Sequence, residues 1–445
     1  METHHVIRFL NDAIDLVGVN DHGHDKRVGL IAHAFCVRLG LPRKVKERIF
    51  VAGLLHDCGV SSTYTHDHLV AEDQWGEVDR HCFRGSRLLA SLDCLSHLAT
   101  IVRFHHTPWD TTDFAAIPED TRFAANLVFL ADRLDAWLAP GVRAREHALA
   151  KAMAAMGTLF FEAFAPAIAS IARDPVFWAD IGRARVGQNV DRILSNIEFP
   201  PLSQKDLRTV PFLMAAIVDA KCPYTAEHSF RVAAIARRMG EVFALSGAEC
   251  DDLETAGLLH DIGKLTIPDE IINKPGPLTE NERQVMETHA AHSYDVILHL
   301  PSLERIAELA RHHHERGDGR GYPDGIGGDA LSLSARIISA ADFFQALTQR
   351  RPYRPGMDPS QVREALDEAR RAGRLDAGVL DSLETRFDEF WELSTGPLNI
   401  SGLEPGLARL CQDPDSAPPP WTRSRSSSAE TSREFALLDG PESNA

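Results

Sequence analysis

The hexapeptide Ala256-Gly257-Leu258-Leu259-His260-Asp261 also occurs, letter for letter, as Ala52-Gly53-Leu54-Leu55-His56-Asp57. Working outward from each copy gives the same order of residues. In the second half His228 precedes His260-Asp261, followed by His289, His313-His314 and Asp342, at gaps of 32, 29, 24 and 29 residues. In the first half His24 precedes His56-Asp57, followed by His81, His105-His106 and Asp132, at gaps of 32, 25, 24 and 27. Ten of the 21 histidines fall at these matched places, so the chain reads as a tandem duplication of one domain.

Apolar residues recur at helical spacing, as in Val28-Ile31-Ala32-Phe35, Val232-Ile235-Ala236-Met239 and Leu258-Leu259-Ile262. Alternating strand patterns are scarce, and an all-α fold of two tandem helical domains follows. Glu198-Phe199-Pro200-Pro201-Leu202-Ser203 interrupts the pattern near the middle. The expected division is therefore a domain over 1–198, a linker over 199–206, a second domain over 207–411 and a tail over 412–445. The tail is rich in Pro, Ser, Arg and Glu and poor in apolar residues, which predicts disorder.

At 445 residues, 44% hydrophobic, the chain is long enough for two cores. A formal net charge of −17 argues against nucleic-acid duplexes or an anionic membrane as partners. No run approaches a membrane span, and the first twenty residues lack the apolar core of a signal peptide. Seven cysteines, an odd number without a CxxC pair, read as free or buried thiols in a reducing compartment, so a cytoplasmic location is expected.

Five histidines and two aspartates, twice in the same order, suit metal ions better than a packing role. Imidazole and carboxylate donors favour Fe, Mn, Ni or Zn over Ca. Seven donors exceed the needs of one ion and suit two, with Asp261 as the natural bridge. Two such ions can generate hydroxide at neutral pH and stabilise the attacking and leaving oxygens at phosphorus. Iron or manganese is expected first, with nickel or zinc behind.

Gly257-Leu258-Leu259-His260-Asp261-Ile262-Gly263-Lys264 resembles the defining motif of the HD superfamily of metal-dependent phosphohydrolases. His313-His314-Glu315 with Asp318-Gly319-Arg320-Gly321-Tyr322-Pro323 resembles the extended signature of its HD-GYP subfamily. Tyr224 to Val232, Ala335 to Asp342 and Arg351-Pro352-Tyr353-Arg354 extend the likeness over about Leu207 to Leu393. The resemblance implies a helical phosphodiesterase that linearises cyclic di-GMP or 3′,3′-cyclic GMP-AMP by a metal-bridging hydroxide. It implies His228, His260, Asp261, His289, His313, His314 and Asp342 as metal ligands and Lys264 as a phosphate contact. Gly321, Tyr322 and Pro323 would form a loop at the substrate, and Arg351 and Arg354 would face its phosphates. Two departures stand out. Tyr224 replaces a glutamate that supports a third metal in some members, which favours two ions. Gln345 replaces an aspartate common three residues after the last ligand, and a change around the ligands rather than lost activity is expected there.

The first copy keeps His24, His56, Asp57, His81, His105, His106 and Asp132 but loses the rest. Val60 stands in the lysine position, His105-His106 runs into Thr107-Pro108-Trp109-Asp110, and nothing like Arg-Pro-Tyr-Arg follows Asp132. It reads as a divergent HD domain, weakly active or inactive, with a regulatory or pairing role and a second metal site as its remaining capacity. The tandem resembles that of cyclic GMP-AMP phosphodiesterases. A homodimer through the first domains fits this reading, although no heptad repeat marks it. The alternatives are a receptor that binds a cyclic dinucleotide without turnover, or an HD phosphohydrolase acting on another nucleotide.

Overall fold

The computed structural model describes residues 2–17, 23–60, 62–71, 78–138, 142–221, 227–349 and 356–398. Tyr224, the Arg351 to Arg354 block and the expected tail lie outside these residues. The described residues are helical and form no strand, with one isolated bridge between Met156 and Phe160. Two compact units result, one comprising Met1–Ile217 with Val296–Leu303 and the other starting at Val218. The non-helical stretch reaches only to Ser203, and a helix, Gln204–Asp219, begins within the expected linker and carries the division.

Each unit is built on five matching helices. In the first they are α1 (His24–Arg38), α2 (Arg43–Leu54), α3 (Val78–Ala90), α4 (Ala99–Arg103) and α5 (Glu119–Trp137). In the second they are α6 (His228–Val242), α7 (Gly247–Leu259), α8 (Glu280–Ile297), α9 (Glu304–Arg311) and α10 (Leu333–Thr348). α1 lies along α2 and α5, just as α6 lies along α7 and α10. The apolar stripes read from the sequence face these contacts: Val28, Ile31, Ala32 and Phe35 are buried in the first unit, and Val232, Ile235, Ala236 and Met239 in the second.

Local sequence fixes the helix ends that matter. Ser246 and Glu249 form a reciprocal capping box at the start of α7, and the Ser332 hydroxyl accepts from the Ala335 amide at the start of α10. After Leu259 the α-helix gives way to a 3-10 turn, Ile262–Thr266, in which the Lys264 amide donates to the Asp261 carbonyl at 2.8 Å. The same bond closes between Val60 and Asp57, also at 2.8 Å. This tightening turns His260 and Asp261, and their first-copy counterparts, to one side.

That turn lies so close to the next helix that only glycine fits. A Cβ on Gly263 would stand 2.0 Å from the His289 carbonyl oxygen, and one on Gly59 would stand 2.0 Å from that of His81. The contact ties the His260-Asp261 turn to the helix bearing the next histidine. Gly263→Ala must therefore move backbone, and a loss of about 1–3 kcal/mol or more is expected, read as a lower urea midpoint for the second unit. An unchanged midpoint would show the approach to be looser than described.

Candidate metal centre

All seven matched donors of the second copy converge. His228 opens α6 and His260 caps α7. His289 lies on α8, His313 and His314 follow α9, and Asp342 lies on α10. His228 Nε2 is 3.2 Å from Asp342 Oδ1, and His260 Nε2 is 3.2 Å from Asp261 Oδ2. His289 Nε2 is 3.4 Å and His313 Nε2 3.8 Å from Asp261 Oδ1, while His314 Nδ1 is 3.8 Å from Asp342 Oδ2. The first copy repeats the arrangement. His24 to Asp132 is 3.4 Å, His56 to Asp57 is 3.5 Å, His81 to Asp57 is 3.5 Å, His105 to Asp57 is 3.6 Å and His106 to Asp132 is 3.7 Å.

Backbone carbonyls fix which nitrogens face inward. The Nδ1 atoms of His260, His289 and His313 lie 2.8, 2.6 and 2.6 Å from the carbonyl oxygens of Gly257, Met286 and Ala310. A carbonyl only accepts, so each Nδ1 donates and each Nε2 is aimed at the cluster. Burial drives the His289 imidazole down to about 3 and lowers that of His313 far below its usual value, so both rings are neutral. Their Nε2 lone pairs face each other at 3.2 Å with Asp261 Oδ1 alongside, and that oxygen is buried without a hydrogen-bond partner. Three lone-pair donors pointing at one place fit a cation.

On the other side of Asp261 the charges differ. Burial opposes charge on His260, but Asp261 prevails and lifts the imidazole to about 9. Burial likewise opposes ionisation of Asp261, yet His260 and Lys264 hold its carboxyl well below the usual range. Lys264 Nζ sits 2.6 Å from Asp261 Oδ2 and stays partly exposed. Asp342 is also held well down, against its burial, by the hydrogen bond from His228.

The HD-GYP-like loop borders this cluster. A Cβ on Gly321 would meet the Glu315 Cα and the His314 carbonyl oxygen, each at 2.5 Å, so the loop closes only with glycine there. The Tyr322 amide donates to the His314 carbonyl at 3.3 Å, and its ring lies 4.8 Å from the His314 imidazole. The Tyr322–Pro323 peptide is cis. Glu315 is buried and accepts the Asp324 and Gly325 amides at 2.7 and 3.0 Å, a clamp on the loop that sequence reading assigned no role.

Other contacts were not foreseen. Gln345 turns away from the cluster and accepts from the Ser394 hydroxyl. The first copy keeps the aspartate, and Asp135 Oδ2 accepts from His24 Nδ1 at 2.8 Å while also pairing with Arg27. Buried Arg133 grips both oxygens of Asp132 at 3.1 to 3.2 Å. Cys82, expected to be an ordinary buried thiol, has its Sγ 3.5 Å from His81 Nε2. Doublets of this kind follow from helix phase and partner position, which one-dimensional spacing does not carry.

Residues 22–137 match the HD domain, and residues 213–379 match a second HD domain family. The chain is 33% identical over 392 residues to 3′3′-cGAMP-specific phosphodiesterase 1 of Vibrio cholerae, covering 86% of this chain and 91% of that protein. It thus belongs to the HD-domain family, with two HD domains in tandem, the second of HD-GYP type. The chain is 43% identical over 179 residues to the cyclic di-GMP phosphodiesterase response regulator RpfG of Xanthomonas campestris, covering 40% of this chain and 47% of that protein. The fold matches the crystal structure of a cyclic GMP-AMP-specific phosphodiesterase of Vibrio cholerae with a TM-score of 0.60 at 24% identity, covering 87% and 98% of the two chains. Among the described residues no helix is long and apolar enough to cross a membrane.

A divalent ion entering the second-copy cluster must displace the proton that His260 holds up to about 9. The His260–Asp261 attraction helps the metal-free fold fully below the usual imidazole pKa and is lost as pH rises through about 9. Calorimetric titrations from pH 7 to 10, in buffers of different ionisation enthalpy, should therefore show proton release that fades above about pH 9. Release that is flat across pH 7 to 10 would remove His260 from the binding group.

Proposed function

We propose that the second domain hydrolyses a cyclic dinucleotide, 3′,3′-cyclic GMP-AMP in preference to cyclic di-GMP, to a linear dinucleotide. The observation that carries this reading is the two-sided placement of Asp261. One oxygen faces His228, His260 and Lys264, and the other faces His289 and His313. A carboxylate so placed suits a pair of cations, held by His228, His260, Asp261, His289, His313, His314 and Asp342, with iron or manganese favoured over nickel or zinc. When bound, such ions supply a nucleophile at neutral pH and offset the charge that grows on phosphoryl oxygens. The substrate preference is supported by the cGAMP-specific relative that aligns with 86% of the chain, across both domains.

The remaining roles belong to the chain itself. Lys264 supplies a compact, partly exposed positive charge at the edge of the cluster, suited to a phosphate oxygen. Tyr322 packs on His314, so it steadies a proposed ligand at the edge of the site. Gly321 and Pro323 set the loop that carries it, and Arg351 and Arg354 are assigned phosphate contacts from sequence alone. The first domain, with buried Val60 in place of the lysine, is assigned a regulatory or pairing role, a homodimer being the natural form of pairing. A cytoplasmic location and the absence of a nucleic-acid duplex partner belong to the same reading.

The test is chromatographic product analysis on the full chain, reconstituted anaerobically with Fe²⁺ or Mn²⁺ and given each cyclic dinucleotide in turn. Linear product is expected from both, faster from 3′,3′-cyclic GMP-AMP. Tight binding without product by the metal-loaded protein would turn the reading to a receptor. Asp261→Ala should abolish turnover, and an unaltered rate in that variant would defeat the metal-dependent reading. Lys264→Ala should keep the bound ions and lower kcat by roughly 10²–10³, the usual loss of one group that stabilises transition-state charge. An unchanged kcat would make Lys264 a structural partner of Asp261 only.

A further inference from the structure

The first-copy cluster is a chemical variant of the second. His81 Nε2 and His105 Nε2 stand 3.3 Å apart, and Cys82 Sγ is 3.5 Å from His81 Nε2. The donor atoms of His81, Cys82, His105 and His106 all lie within 4.8 Å of one another, and all four are buried or nearly so. Asp57 Oδ1 is 3.5 and 3.6 Å from His81 and His105 and is buried without a hydrogen-bond partner. Ala290 occupies the Cys82 place in the second copy, so only the first places sulfur here.

The His81–His105 and Cys82–His81 separations are those of two edges of a tetrahedral zinc site. With Zn–N near 2.0–2.1 Å and Zn–S near 2.3 Å, nitrogen–nitrogen and nitrogen–sulfur edges come to roughly 3.3 and 3.6 Å. A thiolate also moves the preference from the harder ions toward zinc. The far side of the cluster is already charged. Arg133 is buried and bound to both oxygens of Asp132, where the second copy has Phe343 beside Asp342. A guanidinium there supplies the positive charge that a second ion would bring, without leaving Asp132 free to ligate one.

We propose that the first domain holds one thiophilic ion of the zinc class on His81, Cys82, His105 and His106, with Asp57 at its edge, and that Arg133 takes the place of a second ion. Cys82 binds as thiolate, its proton passing to solvent. The site is separate from the catalytic reading of the second domain and stands or falls on its own.

The experiment uses the full chain carrying Asp261→Ala, stripped of metal and titrated with Co²⁺, whose thiolate charge-transfer band reports sulfur ligation. One equivalent producing that band is expected. Cys82→Ser in that background should lose the band with helix content unchanged, whereas Cys222→Ala should keep it. Adding Arg133→Met should raise the uptake from one equivalent to two. A band that never forms, or one that survives Cys82→Ser, overturns the site. Uptake that stays at one in the Arg133 variant overturns the role given to Arg133. X-ray absorption on the zinc-loaded Asp261→Ala chain is independent of any change at Cys82. One sulfur at about 2.3 Å is expected, and a shell of nitrogen and oxygen alone would overturn the proposal.

Discussion

The cluster rests on a short bond made three times in the second copy, from an imidazole Nδ1 to the carbonyl three residues earlier in the chain. Each bond uses a carbonyl at a helix end or within a helix to set a ring's tautomer and its rotation together. The helix ends therefore have to sit where they do. The capping box at Ser246, the 3-10 turn after Leu259 and the glycine contact at Gly263 all serve to place those rings. The first copy makes the bond at His56 and His105, which is why its donors superpose in distance although its surroundings have changed.

The helices and the donor set were legible in the sequence because both depend on spacing. A face repeats every three or four residues, and a donor order that recurs twice is hard to produce by chance. The parts not legible depend on what a side chain meets across the fold. Arg133 adjoins Asp132 in sequence, yet nothing in the sequence says that its guanidinium stays buried on that carboxylate. Cys82 has no cysteine partner to flag it, so it passed as a thiol. The Gln345 substitution was visible, while Asp135, which keeps the lost carboxylate in the first copy, emerged only with its contact to His24. Tyr322 reads from the sequence as part of a loop at the substrate, and its ring also lies against the His314 imidazole.

The two copies show how one scaffold divides its charge. The second leaves its lysine partly exposed beside Asp261, on a flexible stem. The first buries an arginine whose planar fork is committed to one carboxylate. A mobile charge serves a changing ligand and a fixed one serves permanence. That contrast separates the domains more sharply than the donor lists, which are nearly the same.

His228 differs from His260, His289 and His313 in one respect. Its Nδ1 is buried and meets no hydrogen-bond partner among the described residues, since Gln345 looks toward Ser394. The equivalent ring, His24, is braced by Asp135. An unbraced ring lacks the carboxylate that would fix its rotation and enrich its inward nitrogen. Of the two ends of the second cluster, the one formed by His228 and Asp342 is therefore the softer. If the cluster holds ions as proposed, exchange with the surrounding pool would begin at that end.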